Sequence, residues 1–229
     1  SLNFKSLNGS LKKAPVFHII HSFEDLIPNI YEYIWNCHSI CTKIDHDMTN
    51  IKLQKLLQAI AFQAGSQVSY NELGKMTELD SKTVEKYIVL LEQCYVIFRL
   101  GSFSRNLRNE LKNSRKIYFY DNGIRNAVIA DFSLLERRQD VGALWENFII
   151  SERRKKLEYD LLWRNNWFWR TTDQKEIDYI EEGDGQINAF EFKWNPSSKY
   201  KLPKKFMENY PGSTFNVVTP DNMEDFLLK

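Results

Sequence analysis

Between Glu176 and Lys193 the chain reads EIDYIEEGDGQINAFEFK, two alternating stretches on either side of Asp184-Gly185. Asp-Gly in that setting signals a two-residue type I′ turn, because both central residues must take positive φ. Such a turn fixes the register. Gly183 is expected to face Gln186, Tyr179 to face Phe190, Ile177 to face Phe192, Asp178 to face Glu191 and Glu176 to face Lys193. One side of the hairpin is then apolar, and the other gathers Asp178, Glu191 and Lys193.

Directly opposed side chains have Cβ atoms roughly 4.5–5.5 Å apart, where like charges destabilise a sheet. A divalent cation, Mg²⁺ or Mn²⁺, would compensate Asp178 against Glu191, since hard cations take carboxylate oxygens. Lys193, two residues beyond Glu191, shares that face and can orient or activate an attacking water. The alternative is a solvent-facing hairpin side on which Glu176 pairs with Lys193, an exposed pair being worth about 0–1 kcal/mol. The apolar partners on the opposite face require the same register as the carboxylates, which favours the site. Glu146 adds to it. On the helix expected from Gly142 to Leu157, it interrupts an apolar strip of Ala143, Ile149 and Ile150, unless it marks a helix margin and pairs with Arg153. Glu152 is a weaker candidate on the same helix.

The 229 residues leave room for one large or two modest domains, and 43% hydrophobic with 14% aromatic residues suffices for packed cores. Thirty-one basic and 30 acidic residues nearly cancel, so only their distribution speaks of partners. Cys37, Cys41 and Cys94 cannot all pair, which fits a reducing, cytoplasmic compartment. Cys37, His38 and Cys41 lack a second ligand pair at zinc spacing and read as buried thiols. No apolar run approaches the roughly 20 residues of a membrane span, so no membrane partner is expected. The chain starts Ser1-Leu2, without an initiator methionine, and is expected to be a piece of a longer protein.

Along the chain, residues 1–22 show no lasting period, and Leu26, Ile30, Ile34 and Trp35 suggest a helix over 23–41. Leu53, Leu56, Leu57, Ile60 and Ala64 repeat at helical spacing up to Gly65, a favoured terminator. Ser69-Tyr70-Asn71-Glu72 is a capping box, and Asp80-Ser81 caps a third helix burying Val84, Tyr87, Ile88 and Leu91. Three helices followed by the β-rich Tyr95–Leu100 give the order of a winged helix-turn-helix. From Arg99 to Lys116 come Arg99, Arg105, Arg108, Lys112, Arg115 and Lys116 against Glu110 alone, where a wing would touch phosphate. Lys82 and Lys86 join them on the expected recognition helix, although Glu85 and Glu92 make its face mixed and sequence-specific reading doubtful. A solvated connector or a docking surface is the alternative. Downstream, the period changes predict α-β-β-β-α-β.

Two resemblances rest on these residues. Asp178 followed, after twelve residues, by Glu191-Phe192-Lys193, with Glu146 on a preceding helix, resembles the PD-(D/E)XK nuclease superfamily, with Ile177 in place of the proline. The resemblance implies that Asp178 and Glu191 hold Mg²⁺, that Glu146 completes the metal site and that Lys193 assists the attacking water. A longer set is VSYNELG from Val68, YIVLLE from Tyr87, FSRNLR from Phe103, KIYFYDNG from Lys116 and GALWENF from Gly142, with the Asp178 hairpin. Over about Asn50 to Thr219 it resembles the uncharacterised C-terminal domain that follows the AAA-type ATPase module in a large group of prokaryotic ATP-binding proteins. This implies an upstream ATPase domain, which alone would bind ATP, since no G-x-x-x-x-G-K-[ST] occurs here.

The expected fold class is therefore α/β (α+β): residues 1–50 a remnant and linker helix from the ATPase module, 51–113 a winged-helix module, and 114–229 a restriction-endonuclease-like domain with a mixed sheet. The expected function is DNA binding with a Mg²⁺-dependent phosphodiesterase site, catalytic residues Glu146, Asp178, Glu191 and Lys193. The alternative is a non-catalytic module that binds nucleic acid or protein and reports to the ATPase. Oligomeric state stays open.

Overall fold

The computed structural model describes residues 46–105 and 114–228, with backbone alone for 46–50. The segment 1–45, with its expected helix, Cys37, His38 and Cys41, lies outside the described residues, as do Arg108 and Lys112.

Helix α1 (His46–Phe62) buries Leu53, Leu56, Leu57 and Ile60 at the predicted spacing. The chain leaves it through Gly65, at φ +76°, where a Cβ would stand 3.4 Å from the Tyr118 ring and 3.6 Å from the Glu146 carboxylate. The backbone angle favours glycine here, while the space itself would admit a Cβ at ordinary contact distance. Helix α2 (Tyr70–Thr77) starts on Ser69, whose hydroxyl accepts the Glu72 N–H. Helix α3 (Ser81–Gln93) starts on Asp80, whose carboxylate accepts the N–H groups of Lys82 and Thr83, each at 3.0 Å. Val84, Tyr87, Ile88 and Leu91 form its buried face, as their period predicts. They pack with α1 and with Val96, Ile97, Ile117 and Phe119 in one cluster.

The strands are β1 (Ile97–Ser102), β2 (Arg115–Phe119), β3 (Asn165–Arg170), β4 (Glu176–Gly183), β5 (Gln186–Phe192) and β6 (Thr214–Val218). They form one mixed sheet in the order β2-β1-β3-β4-β5-β6. Helices α4 (Asn122–Val128), α5 (Val141–Tyr159), α6 (Lys204–Asn209) and α7 (Met223–Leu228) complete the described chain. From α5 onward the order is the predicted α-β-β-β-α-β.

The expected boundary at 113/114 falls between β1 and β2, which pair antiparallel, while β1 also pairs in parallel with β3 through Gly101↔Trp167. The strand after the third helix thus belongs to the sheet that carries the hairpin. Its own side chains explain this: Ile97 enters the helical cluster while Phe98 and Leu100 enter the cluster under α5 and α7, so β1 is apolar on both faces.

The hairpin turns at Asp184 and Gly185, both at positive φ, with Gly183↔Gln186 and Tyr179↔Phe190 paired as expected. Two expectations are corrected. Against β3, β4 slips between Trp167↔Ile180 and Trp169↔Ile177, three positions for two. That bulge turns Ile177 into the cluster of Ile180, Ala189, Trp169 and Phe206, whereas Phe192 packs with Tyr179. Ile177 therefore does not face Phe192. Apolar clusters also cover both faces of the sheet, so the hairpin has no wholly polar side.

Strand β2 lies at the sheet edge, and Asn147 from α5 occupies that edge in the interior. Its Oδ1 accepts the Phe119 N–H at 2.8 Å, and its Nδ2 donates to the Phe119 carbonyl at 2.9 Å and to Asn122 Oδ1 at 2.8 Å. One amide thereby satisfies backbone groups that water cannot reach. Arg153 makes a comparable link from α5 to β4, binding both oxygens of the buried Glu181 at 2.6 and 2.9 Å. Asn147→Leu keeps the volume and orphans the Phe119 donor and acceptor, each worth about 1–3 kcal/mol. Urea unfolding should show a loss of about 2–5 kcal/mol through a lower midpoint at unchanged m-value; a loss below about 1 kcal/mol would remove Asn147 from this role.

Candidate functional site

The site opens where β4 and β5 part. Their regular pairing ends at Tyr179↔Phe190, and β5 continues against β6 through Glu191↔Val217 and Phe192↔Val218. In the gap the Asp178 carboxylate accepts the Phe192 N–H at 2.9 Å, taking the place of a backbone acceptor. Glu191 is buried. Its Oε1 accepts from the Lys193 ammonium at 2.5 Å, and its Oε2 is buried without a hydrogen-bond partner. Lys193 also lies 5.3 Å from the centre of the Tyr200 ring, whose hydroxyl donates to the Glu176 carbonyl at 2.6 Å.

Glu146 reaches the same region from α5, but it is engaged. Its Oε1 accepts from the Lys116 ammonium at 3.0 Å and from the Tyr118 hydroxyl at 2.6 Å. Lys116 also binds Glu176 at 2.5 Å, and Glu176 holds Arg170 at 3.3 Å. The Lys116 side chain is 3% exposed, which places a full charge inside the carboxylate cluster. Sequence reasoning assigned Lys116 to a phosphate-touching wing and missed this role. The signal was present: Lys116 and Tyr118 alternate with Ile117 and so share one face of β2, the face that meets α5.

Burial, reinforced by Glu146 and Glu191, lifts the Asp178 carboxyl well above the usual carboxylate range, and Lys116 with the Phe192 N–H only partly opposes this. Burial also raises Glu191, against the pull of Lys193. For Lys116 the direction reverses: desolvation disfavours the ammonium, but Glu146, Tyr118, Asp178 and Glu176 outweigh it and hold the charge. Lys193 is likewise held protonated, chiefly by Glu191 acting against desolvation.

Of the other sequence candidates, Glu152 pairs with Lys155, and Arg153 serves Glu181 rather than Glu146. Glu176 pairs with Lys116 and Arg170, not with Lys193. Lys82 and Lys86 are exposed on α3. The Arg99 guanidinium binds both oxygens of Glu92, at 2.9 and 2.6 Å, and donates to the Tyr70 hydroxyl, so it is committed within the fold. Arg105 is exposed and pairs with Glu182. Among the described residues, no three His, Cys, Asp or Glu side chains converge closely enough to hold a metal ion. Both bonds to Glu146, from Lys116 and from Tyr118, fall on its Oε1. Asp178 and Glu191 remain a pair, and the unpartnered Glu191 Oε2 has the hard-oxygen chemistry that Mg²⁺ or Mn²⁺ accepts.

No described helix is long and apolar enough to cross a membrane. Residues 42–135 match a domain of unknown function, DUF8612, and residues 141–226 match another, DUF4143, found in AAA-ATPase-associated proteins. Two uncharacterized proteins, Rv2008c of Mycobacterium tuberculosis and Mb2031c of Mycobacterium bovis, are each 25% identical over 168 residues. These alignments cover 69% of this chain and 37% of each relative's length. No solved structure matches significantly. The charged cluster spans both matched regions, with Lys116 and Tyr118 in the first and Glu146, Asp178, Glu191 and Lys193 in the second.

Proposed function

We propose that this chain is a nucleic-acid-acting module, a winged-helix-like part joined to a PD-(D/E)XK nuclease-like core, in which Asp178 and Glu191 hold Mg²⁺ or Mn²⁺ for phosphodiester hydrolysis. The observation that carries this reading is the placement of Asp178, on the Phe192 N–H, beside Glu191 where β4 and β5 part, with Lys193 on one Glu191 oxygen and no hydrogen-bond partner on the other. A divalent cation at that pair would polarise a phosphoryl oxygen and ease deprotonation of water. The chain's own groups have distinct tasks. Lys193, held as an ammonium, stabilises charge developing on phosphate rather than accepting a proton. Glu146, tied by Lys116 and Tyr118, sets the field around Asp178 instead of serving as a ligand. The DUF4143 match and the greater length of both relatives support an AAA-type ATPase module elsewhere in the protein.

A second reading has its own observation. Lys116 neutralises Glu146 and Glu176 from within, as a purely structural ion cluster would. The chain is then a non-catalytic module that binds nucleic acid or protein and reports to the ATPase. Calorimetric titration with Mn²⁺, alongside cleavage of single-stranded, duplex and branched DNA, separates the two. The catalytic reading expects Mn²⁺ binding that Asp178→Asn abolishes, and cleavage that Asp178→Ala and Lys193→Ala each reduce by at least about 100-fold. Nucleic-acid binding with no Mn²⁺ uptake favours the second reading.

Holding Asp178 in this place has a stability consequence. A carboxyl whose pKa is raised in the fold favours the folded state while protonated, and that contribution is lost as pH rises through the folded value. Asparagine mimics the protonated form and can still accept the Phe192 N–H. In EDTA, Asp178→Asn should therefore melt above the parent chain at pH 8. The difference should shrink to nothing as pH falls towards the unfolded-chain value of about 3.9. Equal melting at pH 8 would mean that the Asp178 charge is already compensated.

A further inference from the structure

Away from the carboxylates, a groove of about 390 Å³ lies where the first turns of α2 and α3 meet the start of β2. That volume is within the roughly 300–1,000 Å³ of ligand sites. Ser69, Asn71, Lys82, Ser114 and Arg115 are among its walls, and Glu85 is its one lining acid. Among the described residues no ion pair engages Lys82 or Arg115. The Arg115 guanidinium rests 4.9 Å from the centre of the Tyr70 ring, and the Tyr70 hydroxyl is fixed by Arg99 and thereby by Glu92. Arg115 is thus a cation presented on a braced aromatic plate, without a carboxylate partner among the described residues.

The groove is tied to the carboxylate cluster. Gln67, another of its lining residues, donates to Ser114 at 2.5 Å and accepts from Arg170 at 3.4 Å, and Arg170 continues to Glu176 and Lys116. Gln67 also bridges the backbone of Lys116 at the edge of β2. Arg115 and Lys116 are consecutive in an extended strand, so one serves the groove while the other is buried in the cluster.

We infer that this groove binds the phosphate backbone of a single nucleic-acid strand, with Arg115 and Lys82 as its cations and the hydroxyl and amide groups of Ser69 and Asn71 as further donors. That the bound strand then leads to Asp178 and Glu191 rests on the phosphodiesterase reading; the binding itself does not. Hydroxyl, amide and guanidinium donors are the usual partners of phosphate oxygens. A duplex laid along α3 fits less well, because the exposed Glu85 stands between Lys82 and Lys86 on that helix.

The test is fluorescence anisotropy of the full chain with a labelled single-stranded oligonucleotide of mixed sequence, in EDTA and across a salt series. Lys82→Gln with Arg115→Gln should raise Kd at least tenfold. The pair should also flatten the slope of log K against log salt by about 1.4, since each phosphate that a side chain neutralises on a single strand adds roughly 0.7 to it. Lys75→Gln, the same single charge change as Lys82→Gln but on the last turn of α2, should leave Kd within about twofold. If Arg115→Gln lowers the melting temperature, Lys82→Gln alone, on an exposed first-turn residue, should still weaken binding several-fold. Parent-like binding by the double variant overturns the inference. So does tighter binding of duplex than of single strand with Lys86→Gln as the sensitive variant. Binding that depends on Arg115 and Lys82 without cleavage in Mn²⁺ upholds the groove and sinks only the phosphodiesterase reading.

Discussion

The buried ammonium of Lys116 is the charge around which the described structure is arranged. An ion removed from water is tolerated only where partners surround it, and breaking such a pair from one side commonly costs about 3–5 kcal/mol. Lys116 meets Glu146 from α5 and Glu176 from β4, while Tyr118 and Gly65 close in on the same Glu146 carboxylate. Elements from both ends of the described chain must therefore be in place together. Strand β2, α5 and the hairpin share one electrostatic centre, and the turn at Gly65 after α1 packs against it.

The sheet explains how that centre is held. Strand β1 joins the helical part to β3, and edge strand β2 is sealed by Asn147 on one residue and by the Gln67 bridge on another. These contacts fix the strand that carries Lys116. On the far side, the bulge of β4 and the end of β4–β5 pairing at Tyr179↔Phe190 leave Asp178 and Glu191 outside the ladder between those two strands. The acids do not simply oppose each other on a polar face. They occupy a defect in the sheet, which is how a fold brings like charges close without straining a regular ladder.

Local chemistry was legible in the sequence. Ser69 and Asp80 cap the helices they announce, the period of Val84, Tyr87, Ile88 and Leu91 gives the α3 core face, and Asp184-Gly185 gives the turn and the near half of the hairpin register. What could not be read depends on partners distant in the chain. The commitment of Arg99 to Glu92 and Tyr70 removes a candidate phosphate ligand, and only the fold reveals it. The parallel pairing of β1 with β3 joins segments more than sixty residues apart, beyond the reach of any local pattern. Lys116 looked like one more cation in a basic run because charge composition is blind to which face of a strand a residue takes.

That alternation on β2 separates two tasks that a basic segment would otherwise blur. Ile117 and Phe119 belong to the core under the helices, while Tyr118 belongs to the core under α5. Arg115 and Lys116 obey the same alternation with charged ends, one turned to a solvent groove and the other to the carboxylates. A cation used to attract phosphate must remain unpaired and hydrated, whereas a cation used to hold carboxylates must be enclosed by them. No single residue meets both conditions, and two neighbours on an edge strand meet them within one step of the chain. The functional reading of this protein therefore turns on the face each residue takes more than on how many basic residues the segment holds.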